Sequence, residues 1–346
     1  MSTVSVVVPT YNYGKFLPEC IESILSQDGP DVRVLILDDA STDETPDIGP
    51  ALAAQDARLE YRRHRDNQGH VATYNEGVEW ADGEYMMLID ADDVLAPGAL
   101  RRAADLLDTL PQVGFVYGHP VYFQSGNALP PVRTGRHRCK VWPGRRWLEL
   151  RCRTGTNCVS TQTVVARTEL RRRLGGYRPE LPHTLDMEVW MKLAAHSDVA
   201  YIRGVDQAWQ RIHPASLQRT RFSSRLIDLR QRKAAFDHVL REQAEVIADP
   251  RRLSMLANRA LAREALWRAC RSYDRGETQE RSLEELIAFA LSAYPGAPRL
   301  PEWAALRWRR EPSARLWPHL QPLLLLAAMR QMRRRLWRTT WRLRGI

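Results

Sequence analysis

The chain has 346 residues, of which 44% are hydrophobic and 27% charged, and a formal net charge of +10. That balance suits one large packed domain or two of ordinary size, and it excludes a disordered chain, a collagen and a small disulfide scaffold. The longest purely apolar run, Leu323 to Met329, falls far short of the roughly 20 residues that a membrane-spanning helix needs, which excludes a polytopic membrane protein.

The first half alternates β-rich runs with helical spacing. Val4 to Val8 reads as a strand buried on both faces. Phe16 to Gln27 then places Leu17, Ile21, Ile24 and Leu25 along one helical stripe. Val32 to Leu37 is a second strand, Thr45 to Ala54 a helix, Leu59 to Arg63 a third strand and Val71 to Trp80 a helix. Tyr85 to Ile89 is the fourth strand, followed by a helix near Pro97 to Leu107 and a fifth strand, Val113 to Tyr117. This alternation implies right-handed βαβ units and a mostly parallel, Rossmann-like sheet.

Between Gly118 and Cys158 strand and loop signals mix. Thr161 to Ala166 reads as a strand, Asp186 to Ala195 as a helix, and Val199 to Ile202 and Gln207 to Ile212 as two short strands. After Ser224 only helices are expected: Ile227 to Ile247, Arg251 to Ser272 after the Asp249-Pro250 break, and Arg281 to Ala293. Pro-containing stretches at 295–301 and 312–322 precede a closing basic helix, Leu323 to Leu343.

The N-terminus has no basic lead and too short an apolar stretch for a signal peptide, so a cytoplasmic protein is expected. The five cysteines, an odd number without a CxxC pair, argue against structural zinc and a disulfide framework.

The chemistry concentrates at strand ends. In open α/β sheets ligands bind outside the carboxyl ends of the strands. Strand one ends in Pro9-Thr-Tyr-Asn12, strand two in Asp38-Asp39, and strand four in Asp90-Ala-Asp92-Asp93. An acid pair alone is also what a helix cap or an Asx turn looks like, and Asp43 fits that reading. Two such groups in one βαβ series point further. Five carboxylates in one cleft would repel one another unless a cation compensated, and oxygen-rich clusters suit Mg2+ or Mn2+. A response-regulator receiver domain also binds Mg2+ with acid pairs, but it needs a Lys ending a core strand, and none of the four Lys here does.

Five ordered blocks now carry a resemblance: Val4 to Leu17, Ile36-Leu-Asp-Asp-Ala-Ser-Thr-Asp-Glu-Thr45, Asn67-Gln-Gly69, Leu88-Ile-Asp-Ala-Asp-Asp93, and Gly175-Gly-Tyr177 through His183-Thr-Leu-Asp-Met-Glu-Val-Trp190. Together they resemble family 2 inverting glycosyltransferases of GT-A fold, the fold of nucleotide-diphospho-sugar transferases, over about residues 3–215. The domains expected are a GT-A domain over 1–222, which carries the resemblance, then a helical extension over 223–311 and a basic amphipathic C-terminal helix over 312–346. The resemblance implies that Pro9, Thr10 and Tyr11 line the nucleoside pocket. Asp39 would meet the base, usually uracil, with Asp38 supporting it and Asp90 near the ribose or donor sugar. Asp92 would be the chief ligand of Mn2+ or Mg2+, with Asp93 beside it, and Asp186 the general base. The usual Glu before that base is replaced by Leu185, with Glu188 standing for the second acid.

Physical reasoning agrees on Asp186, because a first-turn carboxylate is favoured in its ionised form by the helix dipole. Glu188, two residues on, cannot share its face. Trp190 either walls the acceptor pocket or packs in the core. Arg211 and His213 alternate on one strand face; the resemblance assigns them to the donor diphosphate, and a solvated strand end is the alternative.

The implied activity is transfer of a sugar from a nucleotide-diphospho-sugar, usually UDP-linked, to a glycan or lipid-linked acceptor of envelope polysaccharide. Sugar-nucleotide pyrophosphorylases share this general fold but need a Gly-rich, Lys-containing loop that Thr10 to Lys15 does not provide. An inactive nucleotide-sugar-binding or membrane-associated scaffold protein, which would be expected to lose Asp92 or Asp186, is the alternative.

Charge is uneven along the chain. Residues 251–346 carry 20 Arg, no Lys and eight acids, while residues 1–250 hold 31 basic and 33 acidic groups. Seven Arg lie between Arg330 and Arg344 with no acid, flanked by Trp337 and Trp341. Such a tail, residues 315–346, fits an anionic membrane surface at the inner face of the cytoplasmic membrane. Docking on its own domain, a dimer contact and nucleic acid are the alternatives, and no recognised nucleic-acid module accompanies it. The helices from 225 to 310 shape either the acceptor side or a homo-oligomer contact.

Overall fold

The computed structural model describes residues 2–214, 225–275, 280–310 and 341–346. Strands β1 (Thr3–Thr10), β2 (Asp31–Asp38), β3 (Leu59–Arg63) and β4 (Tyr85–Leu88) pair in parallel in the order β3-β2-β1-β4. Their carboxyl ends therefore open on one edge, where the acidic loops begin.

Helix α1 (Leu17–Leu25) buries Leu17, Cys20, Ile21 and Ile24 in one cluster with Val4, Val6 and Val8 of β1. Each fully buried Leu or Ile there stabilises the fold by about 1.5–3 kcal/mol. Helix α2 is Thr45–Ala53, and helix α3 (His70–Trp80) covers the other face. It approaches β1 so closely that a Cβ on Gly77 would lie 2.4 Å from Val7 Cγ1, which only glycine permits.

The sheet continues through β5 (Val94–Leu95), α4 (Ala99–Thr109), β6 (Val113–Gln124), β7 (Arg138–Trp142), α5 (Gly144–Thr154), β8 (Val165–Arg167), α6 (Thr168–Arg173), α7 (Leu185–His196) and β9 (Asp198–Ile212). Its order is β3-β2-β1-β4-β8-β6-β9-β5, with β7 on β9. The long β6–β9 ladder is parallel, and the short β5, β7 and β8 join antiparallel.

Three expectations need correction. Thr161 to Ala166 is not one strand: Thr161–Thr163 form a 3-10 turn, and only Val165–Arg167 pair in the sheet. The mixed region after Gly118 contains the rest of a 12-residue β6, the strand β7 and the full helix α5. The buried positions of α5 include Trp147, Leu148, Cys152 and also Arg151, whose guanidinium lies 5.2 Å from the Trp147 ring centre. An arginine on the inner stripe hides the helical period. The two short strands near 199 and 207 are one 15-residue strand, β9. Gly204, at φ +90°, lies in a bulge where Tyr117 pairs with Tyr201 but His119 pairs with Asp206, so a bulge mimics a turn in the sequence.

Helices Arg225–Glu242, Pro250–Asp274, Glu280–Ala293 and Pro301–Arg310 follow. Their Leu229, Phe236, Leu261 and Leu266 belong to the same hydrophobic cluster as Phe115, Trp147 and Trp190, so this extension packs as one body with the sheet. Residues 341–346 return to that body, with Trp341 and Ile346 against the same cluster. The rest of the basic tail, including Trp337, lies outside the described residues. No helix among the described residues is long and apolar enough to cross a membrane.

Candidate active site

The loops after β1 and β2 are stitched together. Asn12 N donates to Ser41 Oγ at 2.9 Å, Thr42 N to Asn12 Oδ1 at 2.7 Å, and Gly14 N to Asp43 Oδ2 at 3.0 Å. Asn12 and Ala40 both take φ +60°, a cost that this network must offset. Pro9 and Thr10 are buried, and the Thr10 hydroxyl has no hydrogen-bond partner, whereas Tyr11 is 45% exposed.

Asp38 accepts from Ser41 N at 2.8 Å and from Tyr61 Oη at 2.7 Å, and it lies 3.3 Å from Arg63 Nε. Asp39 accepts from Gln68 N at 2.7 Å and Gly69 N at 2.8 Å, and its Oδ1 is 2.8 Å from His64 Nδ1. His64 Nε2 is 2.9 Å from Glu76 Oε2. Burial disfavours the charged imidazole, but these two carboxylates outweigh it and raise its pKa. Asp38 and Asp39 thus have their own donors and do not join the acids after β4. The single five-carboxylate cluster expected from the sequence resolves into a pair after β2 and a triad after β4.

That triad is Asp90, Asp92 and Asp93, which offer oxygen atoms all within 4.8 Å of one another. Burial, then the charge of Asp92, pushes the Asp90 carboxyl up to about 7, although a hydrogen bond from Tyr74 Oη at 2.7 Å opposes this. Burial, then Asp92 and Asp90, raises Asp93 as well. Three crowded acids with oxygen donors fit a hard divalent cation. His213 Nε2 sits 2.8 Å from Asp92 Oδ2. Arg211 meets the acid loop and α1: its backbone N–H donates to Asp93 Oδ1 at 2.9 Å, its Nε to the Asp92 carbonyl at 2.8 Å, and its terminal nitrogen to Glu19. Its guanidinium lies between the rings of Phe16 and Phe123, 4.6 and 4.5 Å from their centres. It braces the acid loop.

Asp186 lies in the first turn of α7, close enough to Asp90 for its charge to raise that group's pKa. Its Oδ2 accepts from Asn157 Nδ2 at 2.8 Å and its Oδ1 from Met187 N at 2.7 Å. Burial outweighs these bonds and the charge of His183, and it lifts the carboxyl to about 6. The helix dipole alone would have predicted the opposite direction. Glu188 points away, buried between Arg178 Nε at 3.1 Å and Lys192 Nζ at 3.2 Å. Trp190 is core, its ring centre 5.6 Å from that of Phe115.

Sequence reasoning missed the supports: His64, Tyr74, Asn157, and Asn75, whose side chain clasps the Tyr177 backbone through bonds of 2.9 and 2.5 Å. Only His64, three residues before Asn67, lies beside a recognised block.

Residues 5–167 match the sequence profile of Glycosyl transferase family 2. Over 101 residues the chain is 37% identical to a Campylobacter jejuni GalNAc(5)-diNAcBac-PP-undecaprenol beta-1,3-glucosyltransferase, covering 29% of this chain and 33% of that protein. It spans about a third of the length of other curated relatives as well. The fold is similar to S. aureus TarS 1-349 in complex with UDP-GlcNAc, with TM-score 0.66 and 18% identity, covering 92% of this chain and 93% of that one. It is also similar to the mannosyltransferase PcManGT of Pyrobaculum calidifontis in complex with GDP-Man and Mn2+, with TM-score 0.56 and 22% identity, covering 95% and 86%. With the acid loops at the carboxyl edge of the sheet and this likeness in sequence and fold, residues 5–167 form a glycosyl transferase family 2 domain, and the fold is GT-A.

Proposed function

We propose that the protein is a metal-dependent, inverting glycosyltransferase that moves a sugar from a UDP-linked donor to an acceptor hydroxyl. The observation that carries this reading is the convergence of Asp90, Asp92 and Asp93 at the carboxyl edge of the sheet, with the half-buried Asp186 close enough for its charge to act on Asp90. A divalent cation, Mn2+ or Mg2+, held by Asp92 and Asp93 would supply positive charge for the leaving diphosphate.

The chain's own groups do the rest. Asp39, held by two backbone N–H groups and His64, presents a rigid edge to the base, with Tyr11 and the unpartnered Thr10 hydroxyl beside it. Asp38 supports the same loop, and Asp90 faces the ribose or donor sugar. Asp186, with its pKa near 6, is ionised at neutral pH and takes the acceptor proton. The acceptor oxygen then attacks the anomeric carbon, and the bond to the diphosphate breaks on the opposite side, inverting the configuration. His213, 2.8 Å from Asp92, is a basic group beside the acids, and Arg211 keeps their loop in place.

The complexes of TarS with UDP-GlcNAc and of PcManGT with GDP-Man and Mn2+ support a nucleotide sugar and a divalent ion and differ in the base. The test is a panel of UDP- and GDP-sugars with purified protein in Mn2+, Mg2+ or chelator. Metal-dependent release of UDP is expected; binding without release would indicate a scaffold, and no binding to any donor would refute the reading.

The acceptor we propose is a lipid-linked glycan of envelope polysaccharide, a class represented in the name of the Campylobacter relative. The basic stretch from 330 to 344 would hold the enzyme at an anionic membrane, each Arg contributing about 1 kcal/mol near the surface. Replacing Arg330, Arg333, Arg334, Arg335 and Arg338 with Gln should abolish co-flotation with anionic vesicles. Equal flotation of variant and parent would remove the membrane role.

A further inference from the structure

We propose that Asn157 is the positioning residue for Asp186, and that residues 341–345 of the same chain hold the Asn157 turn from behind. The inference rests on the reading of Asp186 as the base.

The carboxamide is oriented without ambiguity. Its Oδ1 accepts from Val159 N at 3.0 Å, so its NH2 must face the other way. That NH2 donates to Asp186 Oδ2 at 2.8 Å and to the Val159 carbonyl at 3.2 Å. A carboxylate can only accept, so the reversed amide would set two acceptors against each other. The bond fixes the plane of the Asp186 carboxylate and leaves further lone-pair sites for an acceptor hydroxyl. A base held this way loses little to misalignment.

The next residue of the turn is gripped by the far end of the chain. The Cys158 carbonyl accepts from Trp341 Nε1 at 2.9 Å, and the Cys158 thiol lies 3.4 Å from the Gly345 carbonyl. The segment is itself bound by side chains from three strands. Tyr201 Oη donates to the Arg342 carbonyl and Trp142 Nε1 to the Arg344 carbonyl, both at 3.0 Å, and Tyr117 Oη donates to the Gly345 carbonyl. Gly345, at φ +72°, passes so close to Tyr201 that a Cβ would lie 2.3 Å from its ring. The Trp341 ring centre is 4.7 Å from that of His119. Residues 341–345 therefore occupy a built socket whose near wall is the turn that carries Asn157. Residues 341–345 are thereby linked to the base through two hydrogen bonds and the turn between them.

Two substitutions separate this role from a merely structural one. Asn157→Asp keeps the acceptor for Val159 N but sets a negative charge against Asp186. Asn157→Ala loses every bond of the side chain. A positioning role makes N157D the worse of the two, with kcat down about 10²-fold or more and donor KM unchanged. A purely structural role reverses the order, because N157D keeps the turn, and that order would overturn the proposal. Should N157D fail to fold, N157A decides: a wild-type kcat refutes the role, and a fall in kcat at unchanged donor KM supports it. For the tail, Trp341→Phe keeps the ring and removes the donor. A lower kcat at unchanged donor KM supports the link, and wild-type kcat refutes it. Asp186→Asn is run alongside. If it retains transfer, the base reading itself has failed; if it is inactive while N157D matches wild type, only the present inference falls.

Discussion

Replacing Asp186 with Asn lowers the rate of sugar transfer about 10²–10⁴-fold, the usual contribution of a general base, and leaves donor binding unchanged. Asn has the same shape, and its carbonyl can still accept from Asn157, at the loss of the bond from Met187 N, so donor binding persists while the proton acceptor is lost. In the parent protein the acidic limb of the rate profile follows the same group. Burial lifts the Asp186 carboxyl to about 6, and only its ionised form takes a proton. Transfer therefore falls as pH drops through about 6 and is level above it. Steady-state kinetics on both proteins check this: a D186N variant with transfer intact, or a parent profile without that limb, would remove Asp186 as the base.

Replacing Asp92 with Asn has two opposite consequences. Transfer collapses, because the triad loses the carboxylate nearest His213 and with it the charge that holds a divalent ion. Metal-free stability rises, because Asp92 is the neighbour whose charge acts on both Asp90 and Asp93. The sign follows from linkage. The Asp90 carboxyl is at about 7 in the folded protein and about 3.9 when unfolded. Between those values the folded state keeps a proton that the unfolded state has released. Without metal, the contribution of Asp90 to stability is therefore full below about pH 4 and declines as pH rises toward 7. A bound cation reverses this, by about 2.7 kcal/mol at a concentration one hundred times its dissociation constant. Thermal unfolding at neutral pH, with and without Mn2+, should show the parent gaining stability on addition and D92N starting higher and gaining little. A parent indifferent to Mn2+ would argue against the triad as a metal site.

How far the sequence could be read follows from the range of the interactions. The strands β1, β2 and β4 and the helix α1 were legible because their burial repeats within a few residues. Helix α5 was not, since Arg151 occupies an inner position by stacking on Trp147. Strand β9 was read as two because the Gly204 bulge looks like a turn. Arg211 was placed on the correct strand face, yet its partners, Glu19 and the Asp92 carbonyl, come from distant loops that no local pattern reports.

The sequence by itself determined that carboxylates end the strands of a βαβ series and which helix begins with Asp186, since strand and helix periods and turn chemistry are short-range. Only the tertiary structure decided which of those acids share a hollow. Asp38 and Asp39 are satisfied by donors from the loops around them, while Asp90, Asp92 and Asp93 crowd one another despite their bonds with Tyr74, His213 and Arg211. It also decided what orients Asp186. Asn157 reaches it across 29 residues of chain, and Trp341 reaches the Asn157 turn across 183. Hydrogen bonds of that separation exist only once the sheet has brought the two ends together.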